Sequence, residues 1–267
     1  MNKKLEINTY SLSLILLLII FGGFSIKLKD KEVEKKEILP KIEEFTHLPN
    51  FNDCESTNAK VNSFVDFITP IIVFENQKIL NDRKYLQNLI KKQTFNSSDS
   101  LWLQEKTAYY KIKSTKYNKQ VLAELLNRID IVPIEIVLAQ AAIESNWGTS
   151  AFATKYNNLF GTRTSSKKNG IVPKKRAKTE TYRVAAYRTV NQSIRSYLRN
   201  INSHRAYADF RNIRSQLRSQ NKPLDSFLLA EHLTAYSTLG TKYVKIIKNI
   251  IRNHQNTFNK NINKEIS

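Results

Sequence analysis

The stretch from Ile131 to Gly148 constrains this chain most, because it forms one apolar helix that carries a carboxylate near its end. Pro133 suits the opening of a helix, where its missing N–H costs nothing. Ile134, Val137, Leu138, Ala141 and Ala142 follow the i, i+3, i+4, i+7, i+8 spacing of a buried face, and Gly148 stops it. At about 100° per residue, Glu144 falls about 20° from Val137 and about 60° from Ala141, at the border of the apolar stripe. The helix C-terminus carries partial negative charge, and burial disfavours an ionised carboxyl. Both effects raise a pKa in the way a general acid requires. An exposed Glu paired with a nearby Arg satisfies the same spacing, so periodicity alone leaves both readings open.

The residues that follow predict a small β-element inserted between helices. Asn157-Asn158-Leu159-Phe160-Gly161 is a turn with a hydrophobic anchor, Asn169-Gly170 is a hairpin turn signal, and Tyr182 to Tyr187 has strand character. Between Ser145 and Ala208 the sole acidic residue is Glu180, at the base of that hairpin. If the site needs a second carboxylate on the inserted element, Glu180 is the candidate; a surface Glu neutralised by neighbouring lysines is the alternative.

Charge narrows the partner. The formal net charge is +20, and from Ser150 onward there are 23 basic and 5 acidic residues. Such a half seeks a polyanion, whether nucleic acid, anionic lipid or an anionic wall polymer. One cysteine, Cys54, excludes an internal disulfide framework and a Cys-rich zinc site. No cofactor or metal is expected. At the N-terminus, Lys3 and Lys4 precede an apolar run from about Tyr10 to Ile26, with Lys27, Lys29 and Lys31 behind it. A basic flank and an apolar core form an export signature, and the run is just long enough to span a bilayer. The expected localisation is therefore exported: anchored to the inner membrane, periplasmic or elsewhere in the cell envelope.

The expected layout is a signal or membrane anchor over 1–26, a charged linker over 27–60, a helical extension over 61–118, a principal domain over 119–258 and a polar tail over 259–267. Thr69 as N-cap with Pro70 in the first helical position opens a helix in the extension. Further helices are predicted over 98–113, 119–128, 191–203, 204–219, 223–234 and 241–254. The fold class is mainly α, a helical bundle with a small inserted β-hairpin.

The order of motifs resembles a known family. Leu138 to Gly148, containing Ala-Gln-x-x-x-Glu-Ser-x-Trp-Gly, is followed by Phe152-Ala153, Asn157 to Gly161, Ser193 to Tyr197 and Tyr236 to Tyr243. This is similar to the peptidoglycan glucosaminidases of lysozyme-like fold. Phe67 to Ile72, Asn76, Arg83 and Leu125 to Pro133 resemble the Bax-type branch in particular. Thr162-Arg163-Thr164 departs from it, since Bax-like chains often carry a Cys pair there. The resemblance implies hydrolysis of the β-1,4 bond after N-acetylglucosamine in peptidoglycan, an α+β lysozyme-like fold, and Glu144 as catalytic acid. It also implies Tyr236 at the sugar site and Glu180 as second carboxylate. Asn158, Phe160, Tyr187 and Tyr243 are substrate-binding candidates, with packing the competing role for Tyr187; Trp147 is expected to support the helix from the core. The expected partners are peptidoglycan glycan strands and, through the N-terminal run, the membrane. Two other classes stay open: an inactive glycan-binding or scaffold protein of this fold, and a basic nucleic-acid-binding protein, which the export signature opposes.

Overall fold

The computed structural model describes residues 44–173, 176 and 179–267. The apolar run and the start of the charged linker lie outside these residues. Among the described residues no helix is long and apolar enough to cross a membrane. Ten α-helices are described: α1 (Thr57–Lys92), α2 (Ser97–Tyr109), α3 (Lys119–Arg128), α4 (Ile134–Ser145), α5 (Ala151–Tyr156), α6 (Val190–Ser203), α7 (Ala208–Ser219), α8 (Ser226–Ala230), α9 (Thr241–Asn253) and α10 (Gln255–Ile266). Three short strands, β1 (Arg163–Thr164), β2 (Gly170–Ile171) and β3 (Arg183–Ala185), stand between α5 and α6. The chain is thus mainly α with a small β-element, as its periodicities predict.

The first helix begins earlier than expected. Ser56, not Thr69, is the N-cap, its Oγ accepting from the Ala59 N–H at 3.1 Å. Pro70 lies inside the helix. An interior proline costs roughly 3 kcal/mol. Val61, Phe64, Val65 and Ile68, all buried ahead of it, each contribute roughly 1.5–3 kcal/mol, so the continuous apolar stripe outweighs the break. The Thr69 hydroxyl donates to Val65 O at 2.7 Å.

The first half of α1 joins the main core with α4, α6, α9 and α10, while Leu86 and Leu89 at its far end join a second core with Leu103, Tyr110, Leu122, Leu125 and Ile129. The extension and the principal domain therefore share one framework. Most of the segment expected as a polar tail, 259–267, belongs to helix α10, which packs on α1 and buries Asn261.

Asp130, 2 % exposed, ties this framework together just before α4. Arg218 grips it at 2.9 and 3.1 Å, with Arg83 at 3.6 Å and Arg214 at 3.9 Å. Burial pushes the Asp130 carboxyl up, but the three guanidinium groups more than offset this and hold it below its ordinary value. Arg83 comes from α1 and the other two from α7, so one carboxylate fixes where α4 starts.

The sheet has the order β1-β3-β2, with β3 antiparallel to both neighbours. Asn169-Gly170 is not the hairpin turn: Gly170 opens β2 and pairs with Ala185. Glycine is needed there because a Cβ would stand 2.4 Å from Ser166 O. The connection from β2 to β3 is the longer segment 172–182.

Candidate active site

Helix α4 is buried nearly all round, from Ile136 to Ala142 and again at Ser145. It ends in three successive left-handed residues, Asn146 (φ 51°), Trp147 (φ 55°) and Gly148 (φ 77°). Trp147 stands edge-on to Phe64 at 5.6 Å and to His254 at 4.9 Å, a core support for the helix end. A Cβ on Gly148 would meet the Phe51 ring at 2.6 Å, so glycine lets the chain turn tightly here.

Glu144 sits half-buried in the last turn of α4. The side chain acting on it is Tyr243 of α9, whose hydroxyl donates to Oε1 at 2.7 Å. Among the described residues no cation pairs with it, so the exposed Glu–Arg alternative does not hold. Burial raises the Glu144 pKa, and the Tyr243 hydrogen bond offsets only part of the rise. The direction of that donor is fixed by a chain of hydrogen bonds. The Tyr197 hydroxyl donates to Gln140 Oε1 at 2.6 Å, and Gln140 Nε2 donates to the Tyr243 oxygen at 3.1 Å. With its oxygen already accepting, the Tyr243 proton points at Glu144. Burial and the adjacent Glu144 keep the Tyr243 phenol protonated far above its ordinary range.

The Asn157–Gly161 loop forms the other side of Glu144. Asn158 is buried, its amide donating to Thr162 O at 3.0 Å and Ala185 O at 2.8 Å while Oδ1 accepts from Thr162 N at 3.0 Å. Ser193 and Tyr197, one turn apart on α6, hold the same loop. Ser193 Oγ accepts from Leu159 N at 3.2 Å, and the Tyr197 ring stacks on Phe160 at 4.1 Å. Tyr236 donates to Phe160 O at 3.0 Å and stacks on Tyr243 at 5.5 Å. The result places Gly161 (φ 60°) so that a Cβ would lie 3.3 Å from Glu144 Oε2. Bare backbone at Gly161 leaves that oxygen uncrowded.

A cleft of about 840 Å³ opens over Glu144, lined by the 160–164 segment and β1, by α6 through Ser196, Arg199, Asn200 and Ser203, and by 235–238. Among the described residues lining it, Glu144 is the sole carboxylate, beside Lys111, Arg163 and Arg199.

The predicted residues divide. Glu144, Phe160 and Tyr236 border the cleft. The Phe160 ring is packed at 3 % exposure, however, so it anchors the loop. Asn158 and Tyr243 do not line the cleft: the first has its amide bonded to Thr162 O and to Ala185 O of β3, and the second is buried behind Glu144. Tyr187 also lies outside the lining, donating to Ser196 Oγ at 2.9 Å. Glu180 is exposed on the 172–182 connection between β2 and β3 and does not line the cleft. Gln140 was not among the candidate site residues; its signal is the one polar side chain in the apolar run Ile136–Ile143, one turn before Glu144. Lys111, Arg163, Arg199 and Tyr207 gave no signal beyond their residue types.

Comparison with known proteins agrees with this geometry. Residues 119–256 match the glucosaminidase family, described as mannosyl-glycoprotein endo-beta-N-acetylglucosaminidase. The chain is 29% identical over 197 residues to Protein bax of Escherichia coli (strain K12), covering 73% of this chain and 70% of that one. No solved structure matches. The matched segment spans α3 to α9 and contains Glu144, the Asn157–Gly161 loop and Tyr243, and by that match the chain belongs to the glucosaminidase family of glycoside hydrolases.

Proposed function

We propose that the protein hydrolyses peptidoglycan, cleaving the β-1,4 bond after N-acetylglucosamine with Glu144 as general acid. The observation that carries this reading is the state of Glu144: a cleft carboxyl raised by burial, held on Oε1 by a fixed donor, with Oε2 open at Gly161. A carboxyl whose pKa is raised by burial is suited to supply the proton that glycoside cleavage requires.

The proton on Glu144 passes to the glycosidic oxygen as the C1–O bond breaks. Among the described residues the lining holds one carboxylate, which favours attack on C1 by the carbonyl oxygen of the substrate's own N-acetyl group. The Glu144 carboxylate then takes a proton from water as the water oxygen attacks C1 and the oxazolinium ring opens. Atoms and charge balance without a second protein carboxyl. Tyr236 acts as a positioning residue, since its hydroxyl is bonded to the loop that sets Gly161. The surplus of basic residues supports an acidic polymer as partner, and the N-terminal apolar run supports delivery to the envelope where that polymer lies.

Mass spectrometry of the fragments released from purified sacculi tests the proposal. New N-acetylglucosamine reducing ends are the expected product. N-acetylmuramic acid ends would reassign the bond. Binding without any release would instead favour the inactive glycan-binding reading.

A further inference from the structure

We propose that the helical extension completes the cleft with a cationic subsite, built from Lys111, Arg199 and Ser203, that takes a carboxylate of an acidic saccharide unit. The inference rests on the hydrolase reading for its substrate class and on four observations for its location.

First, Lys111 lines the cleft yet precedes residue 119, where the family match begins. It lies two residues past the end of α2 in a left-handed conformation (φ 59°), which turns the chain away from the helix at the cleft. Second, two arginines fasten the end of α2 to the rest of the cleft. Arg199 Nε donates to Tyr109 O at 2.7 Å, with its guanidinium over the Tyr109 ring at 4.7 Å. Arg128 Nη1 donates to both Tyr110 O at 2.6 Å and Ser203 O at 3.3 Å, which places Ser203 against the residue before Lys111. Third, Ser203 is 4 % exposed, lines the cleft, and its Oγ has no hydrogen-bond partner. A buried hydroxyl without a partner costs free energy, and an anionic acceptor would satisfy it. Fourth, among the described residues neither Lys111 nor Arg199 has a carboxylate partner, and the sole acid lining the cleft is Glu144. Burial together with Lys111, Arg205 and Arg211 holds His204 below its ordinary value, consistent with a positive field at this end.

A planar carboxylate fits such a site. It accepts from the Arg199 guanidinium and the Ser203 hydroxyl while Lys111 supplies a second charge. A neutral N-acetylglucosamine unit offers no such acceptor. The extension is then a selectivity element: it makes the cleft prefer glycans that carry carboxylates over neutral ones of the same linkage.

The test measures kcat/KM of the full chain on three soluble glycans. One is a neutral β-1,4 N-acetylglucosamine oligomer. The second alternates N-acetylglucosamine with peptide-free N-acetylmuramic acid, which exposes the lactyl carboxylate. The third carries stem peptides, whose carboxylates replace the amidated lactyl group. Lys111→Met is expected to lower the acidic-to-neutral ratio about two- to fivefold, as for an exposed ion pair. Arg199→Gln is expected to lower it about tenfold or more, as for a charge-assisted hydrogen bond. Whichever acidic glycan shows the drop identifies the carboxylate. An unchanged ratio in both variants, or an equal loss on all three glycans, overturns the subsite. If the unaltered protein cleaves none of them, the hydrolase reading fails instead. The subsite then stands or falls on binding of the peptide-free acidic oligomer to Glu144→Gln protein, with and without Lys111→Met.

Discussion

Replacing Tyr243 by Phe separates catalytic positioning from structure better than any other single change at this site. The ring keeps its stack on Tyr236 at 5.5 Å, so packing is conserved. Two hydrogen bonds disappear: the donor to Glu144 Oε1 at 2.7 Å and the acceptor for Gln140 Nε2 at 3.1 Å. The first loss raises the Glu144 pKa further, because that hydrogen bond is what lowers it against burial. A general acid acts while protonated, so the basic limb of the pH–rate profile is expected to move to higher pH. Losing the fixed orientation of the carboxyl is expected to lower the maximum rate roughly 10- to 100-fold. The second loss leaves a fully buried amide without its acceptor, which costs about 1–3 kcal/mol. For a unit of this size that lowers the thermal midpoint by about 2–12 °C. The assay is kcat and kcat/KM on soluble glycan from about pH 4 to about pH 9, with thermal unfolding alongside. A basic limb that stays in place, or moves to lower pH, would refute the coupling of Tyr243 to the acid.

Glu144→Gln is expected to cut turnover roughly 100-fold or more. Its stability has a definite sign: the raised folded-state pKa favours folding below the unfolded value of about 4.3, and that gain is lost as pH rises through the folded value. Gln does not titrate, so the variant should match or exceed the parent in thermal midpoint at neutral pH and hold no such advantage near pH 4. Glu180→Gln is expected to leave turnover within about twofold, as for a surface residue; a loss comparable to that of Glu144→Gln would show that the 172–182 connection delivers a second carboxylate. Binding to intact sacculi, followed by pelleting, should weaken as salt rises across the physiological range, since exposed charges are screened over about 8–10 Å. Salt-independent binding would mean that contacts to neutral sugar dominate.

Periodicity and motif order by themselves determined a great deal here. The apolar spacing from Ile134 to Ala142 specifies α4 and places Glu144 at the edge of its buried face, because side-chain direction repeats every 3.6 residues. Helices α3, α6 and α9 follow within a residue from the same rule. Two local signals misled for reasons the tertiary structure makes plain. Pro70 resembles a helix start, but burial of Val61 through Ile68 outweighs its missing hydrogen bond. Asn169-Gly170 resembles a turn, but the glycine serves close strand packing against Ser166 and Arg183. Sequence marked Tyr243 and Asn158 as residues of the site, and only the fold assigned one to the acid and the other to the loop that faces it. The Tyr197–Gln140–Tyr243–Glu144 chain joins three helices, and its members are separated by up to 103 positions. The cationic end of the cleft likewise unites Lys111 with Arg199 and Ser203. No local pattern encodes such meetings, because they depend on how helices cross and not on how any one helix forms.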